Sequence, residues 1–382
     1  MAAAWREQSE SDWRRHDFRY GARMSSSPTT PPGPPGRGAA TNPPNRFERL
    51  HLAPDPDAAA DPGDGGAGPH PRTEFYDDAS ESILSRNDSP DVPYTWGLNP
   101  YRGCEHGCAY CFARPYHEYL GFSSGLDFET RIMVKRRAPE LLRGKLLSPS
   151  WRGESITLSG ATDCYQPAER RFRLTRACLE VCAEFRQPVA IVTKNALVSR
   201  DAGVLGDLAR DRAAMVLVTV TTLDTDLAGR LEPRASRPAA RLRAISALAA
   251  AGVPVGVLIA PVIPGLTEHE IPGIVRAAAD AGATFGGYLV LRLPHAVKDI
   301  FHHWLAAHEP GKAARVLDRV RDMRGGELNV SEWGARMKGE GIHAEQIRAL
   351  FAAAARRHRL GRERPILNSS AFRRPGEQLP LL

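Results

Sequence analysis

Between residues 130 and 292 the chain alternates short β-branched runs with segments of helical period. The runs are "TRIMVK" (130–135), "SITLSG" (155–160), "PVAIVTK" (188–194), "AMVLVTVTT" (214–222), "PVGVLIAP" (254–261) and "FGGYLVLR" (285–292). Most are apolar almost without a break, the character of strands covered on both faces. Between them lie "APELLRGKLL", "RRFRLTRACLEVCAEF", "AGVLGDLARD", "PAARLRAISALAAAG" and "HEIPGIVRAAADAG", several of which stop at Gly or Pro as helices do. Repeated β-α units imply an α/β fold with a parallel sheet and right-handed crossovers, either doubly wound or a full or partial barrel. In a barrel, chemistry collects at the C-terminal ends of the strands.

The flanks read differently. Residues 1–75 hold 12 of the 31 prolines, in stretches such as "SSSPTTPPGPPGRGAATNPPNRFERL", and bury too little apolar surface to offset the entropy of ordering. They are expected to be a mostly disordered tail. Residues 76–325 form the catalytic core, and 326–382 a C-terminal extension with a helix at "HAEQIRALFAAAARRH" and the tail "FRRPGEQLPLL".

Six cysteines in 382 residues is too sparse for a disulfide-stapled secreted scaffold, and no apolar signal segment or membrane span appears. A reducing cytoplasm is the expected compartment, with no membrane partner. The net charge of +7 suits a polyanionic partner but is modest for this length, and solvated surface charge explains it as well.

Three of the six cysteines, Cys104, Cys108 and Cys111, fall in "CEHGCAYC", inside a glycine-containing loop at 102–115 that precedes the β-α repeats. Thiolates are soft donors suited to iron-sulfur clusters, zinc or copper(I). A structural zinc needs four protein ligands, and neither His106 nor His117 supplies a second hook at the usual spacing. Three thiolates on a four-iron cubane leave one iron open to an exogenous chelating molecule. Cluster leads over zinc, and zinc over a disulfide.

The CxxxCxxC pattern with Tyr110 before its last cysteine resembles the signature of the radical S-adenosylmethionine (radical SAM) superfamily. "NPYRGCEHGCAYCFARPYHE", "LSGATDCYQPAE" and "IVTKN" resemble the bacterial branch similar to spore photoproduct lyase, often labelled DNA-repair-photolyase-like. The resemblance implies a partial (β/α)6 barrel, a 4Fe-4S cluster on Cys104, Cys108 and Cys111, and S-adenosylmethionine on the open iron. It also implies reductive cleavage to methionine and a 5'-deoxyadenosyl radical that abstracts hydrogen from a substrate, and an electron donor such as flavodoxin or ferredoxin. By the same resemblance Ser159, Gly160, Ala161, Thr162 and Asp163 meet the methionine amino group, Lys194 holds the methionine carboxylate, Thr219 or Thr221 offers a hydroxyl to the cofactor, and Tyr110 lies near the adenine.

One departure bears on the reaction. In spore photoproduct lyase a cysteine that returns hydrogen to the product lies in the segment matching "LSGATD", which here has none before Cys164. Cys164 becomes the candidate hydrogen donor, and thymine-dimer repair by that mechanism does not follow by default. Cys178 and Cys182 share a helix face, and His302, His303 and His308 stand close in sequence; packing explains the first pair, and opposed helix faces separate the histidines. Nucleic acid is the nearest substrate analogy, with peptide and small molecule open. Two other classes compete with the enzyme: a zinc-stapled nucleic-acid-binding module, and an iron-sulfur electron-transfer or sensor protein. Neither needs a β/α barrel behind the cysteines.

Overall fold

The computed structural model describes residues 33–48, 72–92 and 94–376. Strands β1 (Glu74–Asp77), β2 (Leu84–Arg86), β3 (Trp96–Leu98) and β4 (Tyr101–Arg102) lead into the cysteine loop and a 3-10 helix, Arg114–Leu120. Then follow α1 (Leu126–Thr130), β5 (Arg131–Val134), α2 (Ala138–Leu147), β6 (Ile156–Leu158), α3 (Glu169–Phe172), α4 (Leu174–Glu184), β7 (Val189–Thr193), α5 (Ala202–Arg210) and β8 (Ala214–Thr219). The chain continues through α6 (Thr225–Leu231), α7 (Pro238–Ala250), β9 (Val255–Val262), α8 (Ile271–Asp280), β10 (Phe285–Val290), α9 (Val297–His308), α10 (Pro310–Asp322), α11 (Ala335–Lys338) and α12 (Gly341–Arg357).

The main sheet runs β10-β9-β8-β7-β6-β3-β2, parallel from β3 to β10, with β2 antiparallel at its edge. Six parallel strands followed by outer helices make the expected partial barrel, with one correction to its membership. "TRIMVK" is not its first strand: β5 joins β1 and β4 in a separate three-stranded sheet. The reason lies in burial, because Ile132 and Val134 are buried while Arg131 is exposed, as in a strand covered on one face. The first barrel strand is Trp96–Leu98, three residues with a central glycine, too short for periodicity to reveal.

The barrel strands use both faces. Val189, Ile191, Val216, Val218, Val257 and Ile259 pack outward with Leu142, Leu179, Leu205, Ile245 and Ile274 of the helices. The alternate residues Ala190, Met215 and Phe285 form a separate inner cluster with Leu217 and Leu367. One sequence helix divides in two: Arg173, at φ 53°, ends α3 and starts α4. The Glu169 carboxylate accepts the orphan amides of Thr175 (3.0 Å) and Arg176 (3.2 Å) there, a capping role that offsets the broken helix.

Both flanks contribute order. Gly361 bridges to Phe285 at the start of β10, Asn368 N–H donates to Arg212 O, and Arg373 N–H donates to Phe185 O. Residues 212 and 185 immediately precede β8 and β7, so the C-terminal tail runs along the N-terminal ends of the strands. Phe372 fills the space over Gly153, whose added Cβ would lie 2.4 Å from the Phe372 Cβ. Residues 33–48 correct the expectation of disorder for that part of the tail. Gly38 and Ala39 N–H donate to Glu129 (3.1 and 2.9 Å), and Asn45 Nδ2 donates to Glu118 O at 2.9 Å. Residues 1–32 and 49–71, also expected to be disordered, lie outside the described residues. Among the described residues no helix is long and apolar enough to cross a membrane.

Candidate functional site

The cysteine loop sits at the C-terminal rim of the barrel and is held mainly through its backbone. Cys104 N–H donates to Phe128 O (2.8 Å), Cys111 N–H closes a turn on Cys108 O (3.2 Å), and Ala109 N–H donates to Leu231 O (3.0 Å). Behind it lies Arg114, fully buried, whose guanidinium donates twice to Cys108 O (3.0 and 2.8 Å) and pairs with the buried Glu129. Glu129 in turn takes the two amides of residues 38–39, so one carboxylate ties the cysteine loop, α1 and the ordered N-terminal segment together. Gly38 is needed at this crossing, since an added Cβ would fall 1.7 Å from Gly107 O.

All three cysteines are free thiols, Cys104 and Cys108 buried and Cys111 partly so. Burial pushes all three thiol pKa values up, and at Cys104 the Asp163 carboxylate and the other two sulfurs add to the effect. Three thiols withdrawn from solvent to this degree and within one another's electrostatic field are costly to ionise without a cation, and a coordinated metal removes that cost. Among the described residues no three Cys, His, Asp or Glu side chains gather as a single-ion site requires. His106 is engaged elsewhere, its Nε2 3.0 Å from Asn195 Nδ2 and its Nδ1 3.4 Å from Asp163, and burial lowers its pKa. That leaves the three thiols as the soft donors of the loop, the donor type an iron-sulfur cluster takes.

A second strap crosses the loop from residues 231–241. Besides Leu231, Arg234 N–H donates to His106 O (3.2 Å) and its guanidinium pairs with Glu105 (2.9 Å). Fully buried Glu232 accepts from the Tyr110 hydroxyl, from Thr221 Oγ1 (2.6 Å) and from the Arg241 guanidinium. Burial would raise the Glu232 pKa, but Arg241 and Lys194 outweigh it and hold the carboxylate down at about 2. Sequence reading missed Glu232 and Arg241, although a signal existed. Arg241 leads the otherwise apolar stripe Ala244, Ile245, Leu248 of α7, at i, i+3, i+4 and i+7. A charge in that place needs a buried partner.

The strand-end residues named from sequence do come together, and most of their side chains are already bonded. Ser159, at φ 83°, accepts from Cys164 N–H through its Oγ. Ala161 and Thr162 N–H both point at Asn99 Oδ1 (3.3 and 3.2 Å), and Thr162 Oγ1 donates to Tyr101 O. Asp163 accepts from Thr193 Oγ1 (2.8 Å) and Lys194 N–H (2.7 Å), stitching the end of β6 to that of β7. The exposed Gly160 and half-buried Ala161 therefore offer backbone rather than side chains to a ligand. Thr221 is taken by Glu232 and Ala260 O, and Thr219 O accepts from Arg241. Lys194 differs: half-buried, with its Nζ 5.9 Å from the Tyr110 ring centroid, it forms no ion pair among the described residues. Its charge reaches Cys108, Cys111 and Glu232.

Three sequence candidates lie elsewhere. Cys164 is fully buried in the helix-packed core with Cys178 and Cys182, so the expectation of a hydrogen donor facing the cavity is corrected. Cys178 and Cys182 are core packing, as expected. On α9, His302 is exposed, and His308 packs on Trp304; they share no site.

Residues 98–278, from the end of β3 through most of α8, match the family described as the radical SAM superfamily. The chain belongs to the radical SAM superfamily. The family implies a 4Fe-4S cluster and S-adenosylmethionine as cofactors. The uncharacterized protein Rv2578c of Mycobacterium tuberculosis is 36% identical over 253 residues, covering 65% of this chain and 74% of that protein. The uncharacterized protein MJ0683 of Methanocaldococcus jannaschii is 29% identical over 174 residues, 45% of this chain and 62% of that one. Among solved structures, a spore photoproduct lyase variant with bound AdoMet and dinucleoside spore photoproduct aligns at TM-score 0.53 and 14% identity, covering 74% of this chain and 78% of that one. At that identity the likeness is one of fold.

Proposed function

We propose that Cys104, Cys108 and Cys111 hold a 4Fe-4S cluster with one open iron, and that this protein reductively cleaves S-adenosylmethionine to abstract hydrogen from a substrate. The observation that carries the reading is the set of three free thiols, two buried and one partly buried, at the C-terminal rim of a six-stranded parallel barrel, beside a lysine with no ion pair among the described residues. When bound, the cluster delivers one electron to the sulfonium and a carbon-sulfur bond opens, which is chemistry the cofactors supply. The chain's own residues bind and orient. Lys194 meets the methionine carboxylate with its ammonium, and the backbone of residues 159–161 meets the amino group. Tyr110, its hydroxyl fixed by Glu232, presents only its ring toward the adenine, with the hydroxyl of Thr219 beside it. Aliphatic Val192, Leu217 and Leu258 line the inner face and keep water from the reacting atoms.

The substrate class we favour is nucleic acid. Exposed Phe47, Phe112, Tyr116 and Tyr119 flank the cysteine loop, with Arg46 over the Phe47 ring and Arg292 over that of Phe112, a combination suited to bases and phosphates. The test is anaerobic reconstitution followed by reduction with S-adenosylmethionine. Expected are about four irons per chain, in line with three thiolates on a four-iron cluster, and release of 5'-deoxyadenosine. Both are lost in C108A. A colourless protein that holds one zinc would falsify the reading. Deuterated oligonucleotides that pass no deuterium to 5'-deoxyadenosine, where a deuterated peptide does, would overturn the substrate class alone.

A further inference from the structure

Past the end of β10, at the same rim as the cysteine loop, three guanidiniums crowd together: Arg292, Arg324 and Arg336. Arg336 is neutralised, pairing with Asp91 (2.7 Å) and bonding to Ser89. Asp91 is the one carboxylate among the described residues that bonds to any of the three. Arg324 spends its terminal nitrogens on Leu291 O (2.7 Å) and Ala335 O (3.2 Å), while its Nε is buried and unpartnered. Arg292 is the anomaly. It is half-buried, and among the described residues its Nε is sealed from solvent without a partner and its one bonded neighbour is the thioether of Met337 at 3.3 Å. A thioether is a weak acceptor for a group with five strong donors.

The setting turns this from a defect into a site. Arg292 lies 5.0 Å from the Phe112 ring centroid, and Phe112 follows Cys111 directly. Its planar fork is thus held in place by stacking, at the edge of the reaction centre. Burial and the Arg336 charge lower the Arg292 pKa; burial and Arg292 push Arg324 down to about 10. Three cations against one carboxylate leave two positive charges uncompensated in a partly desolvated place, a cost that an anion with several oxygens removes.

We infer that Arg292, supported by the charge of Arg324, forms a phosphate-binding subsite beside the cysteine loop, which fixes a phosphate group of the substrate. The fork matches two phosphate oxygens at once, and a monoester dianion takes up both surplus charges, whereas a phosphodiester takes up one and relies on its oxygens. The subsite deepens the reading of the rim as the reaction site, and it distinguishes two sources of phosphate, a phosphodiester within a strand and a free monoester.

The test is a calorimetric titration of the reconstituted protein at low ionic strength with inorganic phosphate and, in parallel, acetate. Phosphate is expected to bind saturably and acetate more weakly, with phosphate affinity reduced at least about tenfold in R292Q. R292K, which keeps the charge and loses the fork, falls between. R210Q, at an exposed arginine of α5, leaves the affinity as it was. Further titrations with thymidine monophosphate and with a thymidine dinucleotide joined by one phosphodiester tell the two sources apart: tighter binding of either supports the subsite and names its form. Equal affinity of R292Q and the parent protein, or acetate binding as tightly as phosphate, overturns it. Should R292Q not fold, R292K carries the same comparison. Because the titration needs no turnover, phosphate binding without S-adenosylmethionine cleavage defeats only the radical reading. Cleavage without phosphate selectivity defeats only the subsite.

Discussion

At the N-terminal ends of its strands the barrel is closed by apolar matter: Ala190, Met215 and Phe285 pack with Leu217 and Leu367 as the tail crosses beneath. At the C-terminal ends the buried groups are charged, with Arg114 on Glu129 and Arg241 on Glu232 around the cysteine loop. Apolar closure is non-directional and tolerates repacking. A buried ion pair is the opposite: intact it adds little net stability, but losing one partner strands the other charge. The lower end therefore has to be filled, whereas the upper end has to be held in one geometry. Fixed geometry of that kind is what the proposed radical chemistry requires.

Substitutions at the two ends sharpen this contrast. R114Q leaves Glu129 buried without its guanidinium and is expected to cost about 3–5 kcal/mol in urea unfolding, with poor cluster incorporation. E232Q keeps the shape but removes the charge that holds Arg241 and Tyr110; S-adenosylmethionine cleavage is expected to fall roughly tenfold, as for loss of one charged hydrogen bond that orients a binding group. Its pH signature has a definite sign. A carboxyl held at about 2 in the folded protein adds stability above its ordinary value near 4.5, and loses it as pH falls toward 2. The gap in melting temperature between parent and E232Q should close over that window, and a gap that stays constant from pH 6 to 2 contradicts the assignment. K194M tests the ligand side, with KM for S-adenosylmethionine raised about tenfold, as expected for one charged hydrogen bond, and the visible spectrum of the cluster retained. F372A, at the lower end, should cost about 2 kcal/mol, less than a full core phenylalanine, and leave kcat unchanged. A drop in kcat there would dissolve the distinction between the ends.

Much of the molecule was legible because its signals are local. Parallel strands covered on both faces, such as Ala214–Thr219, declare themselves by unbroken apolar character. The cysteine spacing is a property of eight residues. What escaped depended on pairings across long separations. Trp96–Leu98 is a barrel strand only because β6 lies beside it, and residues 33–48 are held by bonds to Glu118 and Glu129, some 70 to 90 positions on. Cys164 looked available by position in the motif, but the direction of its side chain is set by the turn after Ser159.

The sequence by itself determined the β-α order, the spacing of the three cysteines and the residue types at the strand ends, since each follows from neighbours along the chain. Only the tertiary structure decided which of those residues remain free to act. It consumed Asp163 and Thr221 in stitching the rim and, among the described residues, left Lys194 without an ion pair and set Arg292 against Phe112 without an oxygen to bind. The physical reason is that hydrogen-bond capacity is finite, and folding assigns most of it before any ligand arrives.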